Sequence, residues 1–419
     1  MISFATLFGD DAAIIKDRSF QLLLLANLSP PLGAALLSPL LDTLVGPFGV
    51  SEAEIGLLMT AFSAPSIVLI PIVGLLADRI GRKFVMIAGL LCFGIGGVSI
   101  AFTTDFRIAL ALRLFQGIGF AGLTPIIVTS LGDLYRGSAE STAQGIRFAT
   151  SGFTLMTFPL VGGALVAIAW QYPFFLYAIT FPAAVLIALY FEEPMSESTR
   201  QGSADTDLSD IWKFVSQPKV ASVLIGRAIP NFLYIAFLTY NSFVVVRVVG
   251  GNPGEAGLLI TAASVMHALA ATQAGRVTAV FDSRLYPLLG ANLSMGGGLA
   301  VIGLATSVPI ALLGSAGVGL GFGMSLSLYR SVITGFTVES LRGSVVSAGS
   351  ALGRVAATVA PIVMGGAISA AEPVFGFDVA VRGTVTAAAL LCAVTGTVCL
   401  LVARWSSDVR LPDERAAGT

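Results

Sequence analysis

The sequence predicts an all-α membrane protein of about twelve transmembrane helices in two pseudo-symmetric six-helix bundles. Three observations predict it. Only 11% of the 419 residues are charged and 55% are hydrophobic, whereas a soluble domain carries roughly 25% charged residues. Apolar runs long enough to cross a hydrocarbon core of about 30 Å as helices recur along the whole chain. A short polar motif after the fourth run returns after the tenth.

The runs fall near 20–45, 54–77, 84–103, 107–132, 142–167, 172–192, 220–248, 255–278, 285–304, 309–336, 344–370 and 379–403. A closed barrel, the other structure that satisfies backbone polar groups in lipid, would show alternating segments of about ten residues instead. No removable signal peptide is expected at the start, so the first span should direct insertion. With the N-terminus inside, Lys16, Arg18, Arg79, Arg82, Lys83, Arg136, Arg200, Lys213, Lys219, Arg284, Arg342, Arg404, Arg410 and Arg415 fall on the cytoplasmic side. Arg107, Arg247 and Arg382 flank the outer side. That asymmetry predicts a cell-membrane protein with both termini cytoplasmic.

The long polar stretch of the chain separates an N-terminal bundle, 1–192, from a C-terminal bundle, 220–419, so 193–219 reads as a cytoplasmic linker. Within it, Ile211–Val215 suits either a short interfacial helix or an extended lead-in. Asp133-Leu134-Tyr135-Arg136-Gly137-Ser138 matches Glu339-Ser340-Leu341-Arg342-Gly343-Ser344 at an offset of 206. A parallel six-span repeat is the symmetry of a transporter built from two rocking halves.

Composition excludes several classes. Net charge is −1 and the lysines do not cluster, so nucleic acid is not an expected partner. Cys92, Cys392 and Cys399 lie inside spans and His267 is the sole histidine, so neither a disulfide framework nor a metal site is expected. No nucleophile, base and acid set suggests an enzyme, and no cofactor is expected.

The most specific motif is Gly74-Leu75-Leu76-Ala77-Asp78-Arg79-Ile80-Gly81-Arg82-Lys83 between spans two and three. Gly74 would permit close helix approach, Gly81 a tight turn, and Asp78 with Arg79, Arg82 and Lys83 a switchable charge network. Asp78 could also sit at the positive N-terminal end of span eleven. The loop resembles motif A of the major facilitator superfamily nearly residue for residue. The resemblance implies the major facilitator fold, and pairing of Arg82 with Asp133, the acid closing span four. Glu339 takes the matching place in the second half, and Arg136 and Arg342 follow their acids, so these residues join the expected gating set. The corresponding second-half loop, Gly275-Arg276 to Asp282-Ser283-Arg284, is degenerate.

Span four carries Arg113-Leu114-Phe115-Gln116-Gly117-Ile118-Gly119, resembling the family's motif B, whose arginine is implicated in proton coupling. An arginine in the bilayer costs roughly 2.5–3.5 kcal/mol on insertion scales, so Arg113 should face a polar cavity and a partner; snorkelling to the outer surface is the alternative. Gly117-Ile118-Gly119-Phe120-Ala121-Gly122 spells a dinucleotide-binding pattern, but inside an apolar span small residues for helix packing explain it better. Pro159-Leu160-Val161-Gly162-Gly163 in span five is similar to the antiporter motif of drug exporters, with Thr154 and Phe158 in place of two of its glycines. Leu32 to Pro39 in span one resembles a second exporter element, with Leu41 where a second proline is common.

Polar side chains deep in spans outline a candidate cavity: Asn27, Gln116, Asn231, Tyr234, Asn241 and His267, with Phe120 on its wall. Asn231, Tyr234 and Asn241 share a helical face, which a packed polar seam would also produce. Asp42 is a candidate proton carrier or a solvated cap, and His267 a titrating or a merely hydrogen-bonded histidine. Arg147, Arg227, Arg330 and Arg354 are expected to snorkel. The expected function is proton-coupled efflux of small amphiphilic compounds by a monomer in membrane lipid. The alternative is uptake, by symport or uniport, of a small metabolite such as an organic acid bound by Arg113.

Overall fold

The structure, a computed structural model, describes residues 14–193, 208–281, 283–336 and 339–406, with the side chains of 208–211, 334, 336 and 339–343 outside that description. Among the described residues twelve helices are long and apolar enough to cross a membrane: Arg18–Phe48, Glu52–Ile80, Arg82–Phe102, Phe106–Leu134, Ser138–Val166 and Tyr172–Tyr190, then Pro218–Val248, Pro253–Ala279, Leu285–Leu304, Val308–Ile333, Ser344–Phe375 and Phe377–Trp405. They agree with the sequence-predicted spans to within a few residues. The chain divides into two compact units, Met1–Glu197 with Pro253–Gly257, and Ser198–Asn252 with Leu258–Thr419.

In the first unit, the helix breaks follow proline and glycine. Span one is interrupted into Arg18–Asn27, Ser29–Ala35, a 3-10 turn at Ser38–Leu40, and Leu41–Phe48. Pro30, Pro31 and Pro39 supply no N–H to the ladder, and Asp17 caps the start by accepting from Ser19 N–H at 2.8 Å. Span two begins with a capping box in which Ser51 and Glu54 satisfy one another's backbone, and it is interrupted before Leu57 and before Pro65. Gly81, at φ +96°, turns the chain between spans two and three in a conformation that side chains rarely adopt.

Spans three and four are fused through glycine. A Cβ on Gly119 would stand 2.5 Å from the Gly89 carbonyl oxygen, and one on Gly117 would stand 2.3 Å from that of Phe62 in span two. The pattern at Gly117, Gly119 and Gly122 is therefore a helix-packing surface, as its apolar context implied. Gly119→Val would drive a branched side chain into backbone that has no room to yield, at a cost of roughly 1–3 kcal/mol or more. Loss of the monodisperse peak in detergent chromatography would register it; an unchanged peak and melting temperature would disprove the close packing.

The second unit repeats the device in the equivalent helices. Gly298 of span nine and Gly314 of span ten meet backbone to backbone, with a Cβ on either falling 2.5–2.6 Å from the other's carbonyl oxygen. Its core gathers Val223, Leu224, Leu288, Met324, Leu328, Tyr329 and Ile333. Span seven ends in a π-turn at Val244–Val248, and Gly376, at φ +78°, separates spans eleven and twelve. The linker sequence Ile211–Val215 lies in a short helix, Leu208–Val215, where Trp212 is 73% exposed.

Outward-facing apolar side chains are abundant, among them Leu75, Leu189, Leu313, Leu391 and Trp405. In water such a surface would aggregate; facing lipid tails it costs nothing to leave uncovered. The molecule is a multi-pass membrane protein.

Candidate functional site

The turn at Gly81 organises the first cluster. Arg82 forms an ion pair with Asp133 at the end of span four, and the charge of Asp78 also acts on it. Glu193, just past span six, accepts from the backbone N–H groups of Arg82 and of Lys83, the latter at 3.2 Å. These are the unsatisfied donors at the start of span three, where the helix dipole also favours a carboxylate. Three acids therefore surround one arginine. A Cβ on Gly81 would lie 2.9 Å from Glu193 Oε2, so the turn needs glycine for space as well as for φ.

Asp78, Arg79 and Arg136 are exposed and Lys83 is half-buried. Gly74 departs from expectation within its own unit: a Cβ there would meet none of the unit's described residues within 4 Å. The side chains of Glu339 and Arg342 lie outside the described residues, on the helix Glu339–Phe375. Beside the cluster, the Tyr135 hydroxyl donates to Asp17 Oδ2 at 2.6 Å, and Arg18 covers the Tyr190 ring at 3.6 Å. Burial and the neighbouring Asp17 carboxylate push the Tyr135 phenol well above its usual range, so it stays a donor at any physiological pH.

The second cluster surrounds Arg113, which is fully buried. Sequence reasoning expected it to face a polar cavity; instead main chain and side chains enclose it. Its Nε donates to Leu58 O at 3.1 Å, Nη2 to Gly33 O at 2.9 Å and Nη1 to Gln116 Oε1 at 2.6 Å. Gly33 O lies beyond the last rung of the short helix Ser29–Ala35, where the break in span one leaves it free for the arginine, whereas Leu58 O belongs to the helix Leu57–Ser63 and offers its second lone pair. The guanidinium lies 4.6 Å from the centre of the Phe62 ring, which in turn sits 5.0 Å from Phe120. Tyr177 of span six donates to the same Gly33 oxygen at 3.3 Å. Among the described residues no carboxylate pairs with Arg113. Asp42, half-buried nine residues beyond Gly33, belongs to the last helical piece of the same span.

The remaining polar residues divide between the units. Asn27 is buried and donates to Arg147 O at 3.0 Å and Ser151 Oγ at 2.8 Å. Arg147 is itself buried and bonded to Gln144 at 2.9 Å, so it does not snorkel. In the second unit, Asn231 donates to Arg227 O at 3.2 Å and lies against Gly353 of span eleven, whereas Tyr234 stacks on Phe322 of span ten with centroids 4.1 Å apart. Half-buried His267 meets the same Phe322 edge-on at 5.1 Å, and Asn241 is buried further along span seven. The shared face read from the sequence thus splits between two neighbouring helices. Asn27 with Arg147 links spans one and five, and Asn231 against Gly353 links spans seven and eleven, so contacts of an interior asparagine recur between equivalent spans.

Glu193, Tyr177, Phe62 and Phe322 were missed by sequence reasoning. Only Glu193 carried a signal, as an acid directly after a span and close to a basic loop.

The comparisons agree with this architecture. Residues 23–249, more than half of the chain, match the family model described as Major Facilitator Superfamily. The chain belongs to the major facilitator superfamily. Among curated members, it is 36% identical over 152 residues to the Bacillibactin exporter of Bacillus subtilis, covering 34% of this chain and 37% of that one. It is 24% identical over 244 residues to the Quinolone resistance protein NorA of Staphylococcus aureus, covering 57% and 61%. Each match thus spans less than two thirds of the relative's length. Among solved major facilitator structures, a bacterial homolog of the human lysosomal transporter Spinster, in its inward-facing and unoccupied conformation, superimposes with a TM-score of 0.77 at 18% identity, over 94% of this chain and 98% of that one.

Proposed function

We propose that this major facilitator protein is a secondary active transporter that exports small amphiphilic compounds in exchange for protons by alternating access. The observation that carries the reading is the coordination of Arg113. A buried cation that no described carboxylate neutralises is held by main-chain carbonyls of two interrupted helices, so its ligands can be exchanged only when those helices move. An interaction tied to one arrangement of spans one, two and four is the kind of two-state element that transport requires. Asp42 on span one is assigned as the proton carrier and Arg113 as the residue that links its charge to helix position. The Arg82 cluster is assigned as the gate, because its ion pair ties the start of span three to the end of span four. The names of the two curated relatives, both concerned with export or resistance, support the outward direction.

The assigned topology, with both termini in the cytoplasm of a cell-membrane protein, is supported by the basic-residue asymmetry. Membrane-impermeant maleimide applied to intact cells should label Asn252→Cys between spans seven and eight, and leave Ser216→Cys untouched until the membrane is opened. The reverse pattern overturns the orientation.

Direction is tested with inside-out vesicles from cells expressing the chain, under an imposed pH gradient. Export predicts accumulation of quinolones, catecholates or lipophilic cations inside such vesicles, abolished by a protonophore. Accumulation of small organic acids in right-side-out vesicles alone would replace the export reading with uptake.

A further inference from the structure

The second unit holds a set of arginines that the proposed cycle leaves without a role. Arg227 of span seven donates from Nη2 to Ser350 Oγ of span eleven at 3.0 Å, while its Nη1 is buried without a hydrogen-bond partner. Arg330 of span ten, whose own side chain is exposed, is close enough for its charge to act on Arg227. Arg354 lies one turn beyond Ser350 on span eleven and is half-buried. None of the three makes an ion pair with a described residue. The carboxylates of this unit whose side chains are described, Glu372 and Asp378, both sit within a turn of the opposite ends of their spans. The buried Arg227 nitrogen without an acceptor is costly, and the like charge of Arg330 adds to the cost, so such an arrangement persists where an anion visits it.

The helix register extends the site. Tyr234 and Phe322 stack with planes within 1° of parallel, which fixes spans seven and ten against each other. Arg227 is seven residues before Tyr234 and Arg330 eight residues after Phe322 in the antiparallel neighbour, so both side chains start about 11 Å from the stack at one level. Arg354 falls between the two levels, because the adjacent Gly353 packs on Asn231. Span eight reaches the stack because a Cβ on Gly319 or Gly323 of span ten would strike the carbonyl oxygens of Ala263 or His267, at 2.0 and 2.3 Å. That contact sets the His267 ring at the edge of Phe322.

We propose that the second unit carries a two-part subsite for amphiphilic aromatic anions: Arg227, Arg330 and Arg354 take the carboxylate, sulfonate or phosphate, and the Tyr234, Phe322 and His267 rings take the aromatic body. Arginine suits planar, bidentate recognition of such groups. The proposal rests on the transporter reading above, and it narrows the substrate class to anions rather than the lipophilic cations that a carboxylate-lined cavity would select. A lipid phosphate would satisfy the arginines alone; the aromatic part at the middle of three spans favours a solute.

The test uses the full chain in neutral detergent and three probes of one shape: 1-naphthoate, 1-naphthylmethanol and 1-naphthylmethylammonium. Naphthoate should bind at least about tenfold tighter than the ammonium probe. Arg227→Gln and Arg330→Gln should each weaken naphthoate by roughly tenfold while leaving the neutral probe unchanged, and Arg227→Lys should keep part of the affinity. Tyr234→Ala should weaken all three. Equal or tighter binding of the ammonium probe, or naphthoate binding indifferent to both glutamine variants in monodisperse protein, overturns the proposal. So does phosphatidylglycerol binding through the same arginines that naphthoate fails to displace. Counterflow in phosphatidylcholine liposomes separates this inference from the one beneath it. Exchange of the neutral or cationic probe but not of naphthoate defeats the anion site and leaves the transporter standing. Arginine-dependent naphthoate binding without exchange of any probe or drug defeats the transporter reading and leaves the site.

Discussion

Arg113→Ala will abolish substrate-driven proton movement and lower the melting temperature of the purified protein. The substitution removes three hydrogen bonds in a fully enclosed site; Gly33 O keeps the Tyr177 hydroxyl and Leu58 O keeps its own helix, so Gln116 Oε1 is the acceptor left unpaired, beside the space the guanidinium filled. Leaving a buried polar group unpaired costs about 1–3 kcal/mol, and the emptied space adds to it, so the loss is sizeable against the marginal stability of any protein. Removing a buried charge has an opposing benefit, which a purely hydrophobic site would deliver. Here Gln116 Oε1 and the emptied space remain whatever small residue replaces the arginine, so loss wins. Arg113→Lys will rescue little, because one ammonium cannot present the planar fork that reaches three acceptors on three spans. Melting in detergent and proton flux in liposomes both check this; a variant that melts at or above the wild-type temperature and still transports would show that the carbonyl contacts hold nothing together.

Reversing Arg82 will have the second largest effect. Arg82→Asp sets a fourth carboxylate among Asp78, Asp133 and Glu193, and like charges at contact distance repel at the place where span three begins. Transport should fall by at least about tenfold, the scale of one lost charge-assisted contact. Asp133→Arg alone should fall comparably, and the double exchange should recover a substantial part, because the pair is restored with its polarity inverted. Glu193 bonds the backbone rather than the Arg82 side chain and so remains engaged in every variant. Absence of recovery in the double exchange, with both proteins folded, would show that position 82 acts through something other than its pairing with position 133.

The sequence made the helices legible because lipid imposes a length and a polarity on every span, and both are local properties. The breaks in span one were not read from the sequence, which shows one run over 20–45, although Pro30, Pro31 and Pro39 carried the signal in their missing N–H groups. The meeting of Arg82 with Asp133 followed from family resemblance. What surrounds Arg113 was not legible. Phe62 and Tyr177 reach it from spans two and six, and which face each of those spans turns inward depends on rotation and tilt that apolar sequences leave nearly degenerate. Arg147 was misread for the same reason: a long cationic side chain within reach of a span end snorkels unless a partner such as Asn27 stands beside its helix, and Asn27 lies 120 residues away in the chain. Gly74 shows the converse error, since a small residue permits close approach without compelling it.

The most direct test of the central claim is internal pH in sealed liposomes holding the protein, followed with a trapped dye while a quinolone or an aromatic anion is added outside, with Arg113→Gln prepared alongside. The account predicts a substrate-triggered pH change in the wild type and none in the variant. Substrate accumulation with no proton movement, or an identical pH response in the variant, would contradict it.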